Sequence, residues 1–236
     1  MVSENLTQVQ QVIASTCREC NRDEREVTLI AVSKTKPIEM LQEAYEAGIR
    51  DFGENKVQEM CQKMELLPKD IRWHFIGHLQ RNKVKYIIGK TALIHSVDSL
   101  RLAEEISKQA VKHNVVVDIL IEVNMGREET KFGVLEEEAP DLAVSISRLP
   151  NIQIKGLMTS APYVVDSDEN REIFHKMKQL SVDILRKNID NISMDILSMG
   201  MSQDYIAAIK EGSTMVRVGT DIFGKRNYNI EETEHK

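Results

Sequence analysis

Three cysteines in 236 residues, Cys17, Cys20 and Cys61, are too few for a disulfide framework. Cys17 and Cys20 form a C-x-x-C, yet no second pair completes a zinc site and no βαβ unit precedes it to suit redox chemistry. At helical spacing the two simply share a face. No apolar run approaches the length of a membrane span, and the polar, interleaved residues 1–20 do not resemble a signal peptide. An excess of positive charge is missing too: the net charge of −6 argues against nonspecific binding to nucleic acid or an anionic membrane. Linkers and low-complexity segments are absent. These absences leave a cytoplasmic protein read as one domain over residues 1–236, with 42% hydrophobic and 29% charged residues and ample length for a large core.

What is there alternates. Residues 27–33, VTLIAVS, are a nearly unbroken apolar run rich in β-branched residues, as in a parallel strand buried on both faces. Pro37 suits the first turn of a helix that carries Ile38, Leu41 and Tyr45 on one face and stops at Gly48. Further strands are predicted at 49–52, 72–76, 92–97, 115–123, 152–158, 194–197 and 214–218. Helices are predicted between them, including the basic RNKVKYII at 81–88, one capped by Asp98 or Ser99, one at 135–147, one from 168 and a short one at 203–211. A helix over 3–19 precedes the first strand. Right-handed crossovers repeated in this way close into a (β/α)8 TIM barrel with an additional N-terminal helix. An open doubly wound sheet is the alternative, but its first turn is usually glycine-rich, and SKTKP holds no glycine.

Barrels build their active sites at the strand ends that open into the following loops. Two lysines compete for that position after the first strand. Lys34 alternates with Ile30 and Val32, so a strand pointing that set inward carries it into the mouth, whereas Lys36 lies in the loop and is more easily solvated. Either is a solvated rim lysine or a desolvated amine able to form a Schiff base. At the other end of the chain, Ser202 is placed to cap a helix starting at Gln203, and Gly219 with Thr220 follows the eighth strand. Loops after strands seven and eight commonly hold a phosphate. Arg217 alternates with Met215 and Gly219 and points inward from a strand that neighbours the first. A lysine, a phosphate cradle and a fixed cation together describe a site for pyridoxal 5′-phosphate (PLP). His74 and His78 flank the end of the third strand without a third ligand, so no metal is expected. Arg81, Lys83 and Lys85 read as a solvated basic face.

The segments AVSKTKP, FGENKVQE, WHFIGHLQRNK, GLM, SMGMSQD and STMVRVGTDIFG, in that order over residues 27–224, resemble the motifs of the pyridoxal phosphate homeostasis proteins. These are single-domain relatives of the alanine racemase barrel. The resemblance implies that Lys34 corresponds to the Schiff-base lysine, and Ser202, Gly219 and Thr220 to phosphate contacts. Arg217 corresponds to the residue beside the pyridine nitrogen, and Asn55, in GEN, lies near the cofactor. It also implies a non-enzymatic role in vitamin B6 homeostasis, holding PLP and supplying it to apo-enzymes that need it. In the alanine racemases a second base stands on a further β domain, which this chain, ending soon after its eighth strand, is expected to lack. Hence no catalytic residue is assigned and a monomer is expected. A low-activity amino-acid racemase is the alternative; a Schiff-base aldolase is a third class compatible with a barrel lysine.

Overall fold

The computed structural model describes residues 1–225. Eight parallel strands close into a barrel in chain order. They are β1 (Thr28–Val32), β2 (Asp51–Glu54), β3 (Arg72–Phe75), β4 (Leu93–Val97), β5 (Val117–Glu122), β6 (Ile152–Met158), β7 (Ile192–Met201) and β8 (Met215–Val218). The helices are α1 (Val2–Glu19), α2 (Ile38–Glu46), α3 (Val57–Leu66), α4 (Leu100–His113), α5 (Ala139–Ser147), α6 (Arg171–Arg186), α7 (Tyr205–Lys210) and α8 (Thr220–Phe223). The expected (β/α)8 barrel and N-terminal helix are therefore present.

The strands are apolar on both faces because both faces are covered. Outward residues such as Leu29, Ala31, Phe52, Phe75 and Ile94 meet the helices in one continuous core, joined by Leu41, Met60, Ile106 and Phe174. Each large aliphatic or aromatic side chain among these, fully removed from water, contributes about 1.5–3 kcal/mol. A smaller cluster of Leu93, Leu120 and Met158, packed by Ile196 and Met215, fills the barrel itself. Which face is inward follows from a contact between strands that are not neighbours: His95 on β4 reaches Ser198 on β7, 2.9 Å away, and only the lumen allows that.

Several elements sit differently from their sequence reading. The predicted second strand begins two residues later, because Ile49 closes the end of α2 by donating its N–H to Ala44 O. RNKVKYII forms a 3-10 turn over Arg81–Tyr86, with Val84, Ile87 and Ile88 buried beneath it. Ser99, rather than Asp98, caps α4, accepting from Leu102 N. The seventh strand runs six residues longer than predicted, with a register shift against β6 near its start and one against β8 at its irregular SMGM end. Helix α1 packs across α2, α7 and α8, and its Asn5 Nδ2 donates to Ile222 O, tying the last helix down.

Candidate site at the barrel mouth

β1 ends at Val32, so Lys34 is not a strand residue; it occupies a turn that closes when Lys36 N donates to Ser33 O. Thr35 completes the turn with φ +62°, a left-handed conformation that breaks the strand's alternation. Lys34 itself is half-buried. The turn is held on both sides. Ser33 Oγ donates to Glu54 Oε1 at 2.6 Å, and Thr35 N donates to Glu59 Oε1 at 2.6 Å. Behind it Lys63, on α3, donates from Nζ to Ser33 O, Glu54 Oε1 and Glu59 Oε1, each at 2.7 Å. Burial pushes the Glu54 carboxyl up, against the opposing pull of Lys63 and Ser33. Sequence reading missed this clamp: Lys63 looks like any helix-surface lysine until β2 and the turn fold against it.

Lys36 is not simply a solvated loop amine. Its Nζ donates to the carbonyls of Phe223, Gly224 and Lys225 at 3.1, 2.8 and 3.0 Å, gripping the end of α8. It thus ties the first strand's loop to the last.

Ser202 does not cap α7. That helix starts at Tyr205, and Asp204 before it accepts from Met201 N through Oδ1 and from Asn170 Nδ2 through Oδ2. Ser202 Oγ instead accepts from Gly219 N at 3.2 Å, so the loops after β7 and β8 meet at these two residues. Gly219 packs tightly: a Cβ there would lie 3.1 Å from Val32 O, so a larger residue would need the β1 end to give way slightly. Thr220 follows directly as the first residue of α8. On the same rim, two strands round from β8, Asn55 follows β2, with Gly77 so close that a Cβ on Gly77 would meet Asn55 O at 2.4 Å. The Asn55 Oδ1 position is buried and without a hydrogen-bond partner among the described residues.

Arg217 pairs in register with Ile30 and points into the lumen, as expected, but it lies below Lys34. Its Nη1 donates to Ser198 Oγ at 2.7 Å and its Nη2 to Thr159 O at 2.8 Å. Burial pulls its pKa down to about 10, against the charges of Asp204 and Glu122, so it remains a cation at neutral pH. Glu122 ends β5, nine-tenths buried, with Oε2 unpartnered among the described residues. Burial, then the nearby Asp98, push its carboxyl up to about 7, while Arg217 pulls the other way.

The two histidines weighed for a metal part company. His74 enters the lumen and contacts His95, while His78 stays outside, stacked on Phe132 and beside Asp98. Among the described residues no cluster of metal-ligating side chains occurs. A cavity of about 230 Å³ beside the mouth is lined by Asn55, Lys56, His78 and Lys83. Another cavity, about 630 Å³, lies at the other end of the barrel, between α1 and the starts of β1 and β2.

Comparison with known proteins places this arrangement among relatives. The family model described as alanine racemase, N-terminal domain, matches residues 5–227. A pyridoxal phosphate homeostasis protein of Aquifex aeolicus is 46% identical over 226 residues, covering 95% of this chain and 98% of its own. That of Escherichia coli is 39% identical over 233 residues, covering 97% and 98%. The structure of PipY from Synechococcus elongatus with PLP bound matches with a TM-score of 0.81 and 32% identity, covering 95% of this chain and all (100%) of the other. An alanine racemase of Clostridium difficile shares the fold at a TM-score of 0.71 with 16% identity, over 96% of this chain but 58% of its own. No helix among the described residues is long and apolar enough to cross a membrane.

Proposed function

The chain belongs to the alanine racemase N-terminal domain family and, within it, to the pyridoxal phosphate homeostasis proteins, and on that premise we propose that it binds PLP and buffers or supplies it. The observation that carries this reading is the convergence at one barrel mouth. A clamped lysine turn after β1, the joined Ser202 and Gly219 loops after β7 and β8, and a buried arginine near the end of β8 all lie toward the same end of the barrel. The buried Asn55 amide oxygen, unpartnered among the described residues, is the kind of polar atom that a ligand satisfies.

When bound, PLP supplies an aldehyde, an electron-withdrawing ring and a phosphate. Lys34 is the amine we assign to covalent attachment. Its turn is fixed at Ser33 and Thr35, which limits where the amine can reach. Ser202, Gly219 and Thr220 are assigned to the phosphate, where hydroxyl and backbone N–H donors suit an anion. Asn55 is assigned to the cofactor's rim side. Arg217 is assigned to the pyridine nitrogen; as a cation it disfavours a proton there and leaves the ring a weaker electron sink. That suits storage better than carbanion chemistry. The reading takes residues 1–236 as one domain and includes a monomer working in the cytoplasm, with apo-enzymes as recipients.

A second reading, a low-activity amino-acid racemase, is favoured by one feature. Glu122 titrates near neutrality at the mouth, where an acid or base would be useful. The test is deuterium exchange at the α-carbon of alanine and serine with the PLP-loaded protein. The carrier reading expects no exchange beyond that caused by free PLP. Rapid exchange that requires Lys34 and is accompanied by loss of optical activity makes the protein a racemase.

A further inference from the structure

The lumen of a barrel is usually filled with apolar side chains in layers. Here a file of polar groups crosses it. Arg217 Nη1 donates to Ser198 Oγ at 2.7 Å; Ser198 Oγ lies 2.9 Å from His95 Nδ1; His95 Nε2 lies 3.0 Å from His74 Nδ1; and His74 Nε2 lies 3.0 Å from Asp51 Oδ1. Five residues on five strands are thus joined by four consecutive contacts, and Asp51 is held in turn by Arg72. His95 and Ser198 are wholly buried, and His74, Arg217 and Asp51 nearly so.

The chemistry of the two ends sets the direction of the file. Burial alone would raise the Asp51 carboxyl, but hydrogen bonds from His74 and Arg72 hold it below its ordinary range, so it is an acceptor only. His74 must therefore carry a proton on Nε2. Arg217, a cation, is a donor only, so Ser198 Oγ accepts from it. Burial first, with the charge of Arg217 beside it, holds the His95 pKa well below its ordinary value, so that ring is neutral and carries one proton. With that proton on Nε2, His95 donates to His74 Nδ1 and accepts the Ser198 hydroxyl at Nδ1. Every donor then meets an acceptor, from the cation to the carboxylate. With the proton on Nδ1 instead, Ser198 oxygen faces two donors, and His74 must be doubly protonated to reach His95 Nε2.

We propose that Ser198 and His95 are positioning residues for Arg217, holding its guanidinium toward the cofactor's ring side through a one-directional hydrogen-bond file that ends on Asp51 at the barrel floor. The proposal rests on the PLP reading for what Arg217 faces, but not for the file itself. In the file each neutral group turns its lone pair toward the arginine. This replaces part of the solvation that the guanidinium loses on burial and fixes its orientation before any ligand arrives.

The first arm of the test needs no cofactor. ¹⁵N spectra of the histidine rings in the unloaded native protein are expected to show His95 protonated on Nε2 with Nδ1 bare. A proton on Nδ1 overturns the direction of the file, whether or not any variant folds. The second arm measures PLP retention and the absorbance maximum of the bound cofactor. Ser198→Ala is expected to weaken retention roughly tenfold, the order of one hydrogen bond to a charged group, and to move the maximum. His95→Leu should do the same, whereas His95→Gln, whose amide can accept from Ser198 and donate to His74, should recover most of the loss. Native retention and an unmoved maximum in Ser198→Ala and His95→Leu overturn the positioning role. Failure of the native protein to bind PLP, with His95 protonated on Nε2, overturns the cofactor reading and leaves the file standing.

Discussion

Glu122 illustrates how one buried group can govern the pH response of the protein. Its carboxyl titrates at about 7 in the folded chain, against an ordinary value of 4.5. The folded state therefore binds the proton more tightly than the unfolded state does. The stabilisation this confers is complete below about 4.5 and is lost as pH rises to about 7. Glu122→Gln removes that dependence. The variant is expected to match the native protein near pH 4.5 and to exceed it by about 3 kcal/mol at pH 8, read from urea unfolding of the unloaded protein. A difference that does not change with pH contradicts the buried, raised carboxyl. At the same scale, Arg217 was legible as a candidate from strand parity and motif position, and Lys34 from motif position, since the parity argued for it stops with β1 at Val32. The partners that define their settings were not. Ser198 meets His95 across 103 residues of sequence, and Lys63 reaches Ser33 across 30. Neither pairing leaves a local pattern.

Among elements, β1 and the turn after it carry the site, and their rigidity comes from α3. Lys63 and Glu54 are nearly or wholly buried as a pair, so removing the ammonium leaves a carboxyl without its counter-charge. Lys63→Met is expected to cost about 3 kcal/mol of stability at pH 7 and less at pH 5, because Glu54 can then take up a proton. Unfolding midpoints at the two pH values check this; equal losses at both would mean that the clamp is not electrostatic. The apolar runs of β1, β5 and β6 were readable because strands covered on both faces need continuous hydrophobicity. The ends of elements were less so. Thr35 adopts a left-handed conformation that its residue type does not advertise, which stopped β1 short of Lys34. Ser202 has the composition of a helix cap, yet the β8 loop competes for its hydroxyl and wins.

For the molecule as a whole, barrel closure brings the first and last strands together, and the proposed site apart from Asn55 gathers at that seam. Gly219 packs on Val32, Lys36 holds the end of α8, and Arg217 lies beside Ile30. Chain order alone predicted the seam, since eight right-handed crossovers leave β8 next to β1. The polar file through the lumen was not predicted, because the sequence reading placed its histidine on the third strand at a metal site or nowhere. Lys34 is the amine we propose holds the cofactor, with Lys36 engaged by the end of α8. The most direct test is borohydride reduction of the PLP-loaded protein followed by peptide mapping. The account predicts a pyridoxyl group on Lys34 and loss of the label in Lys34→Ala; a label found mainly on Lys36 would contradict it.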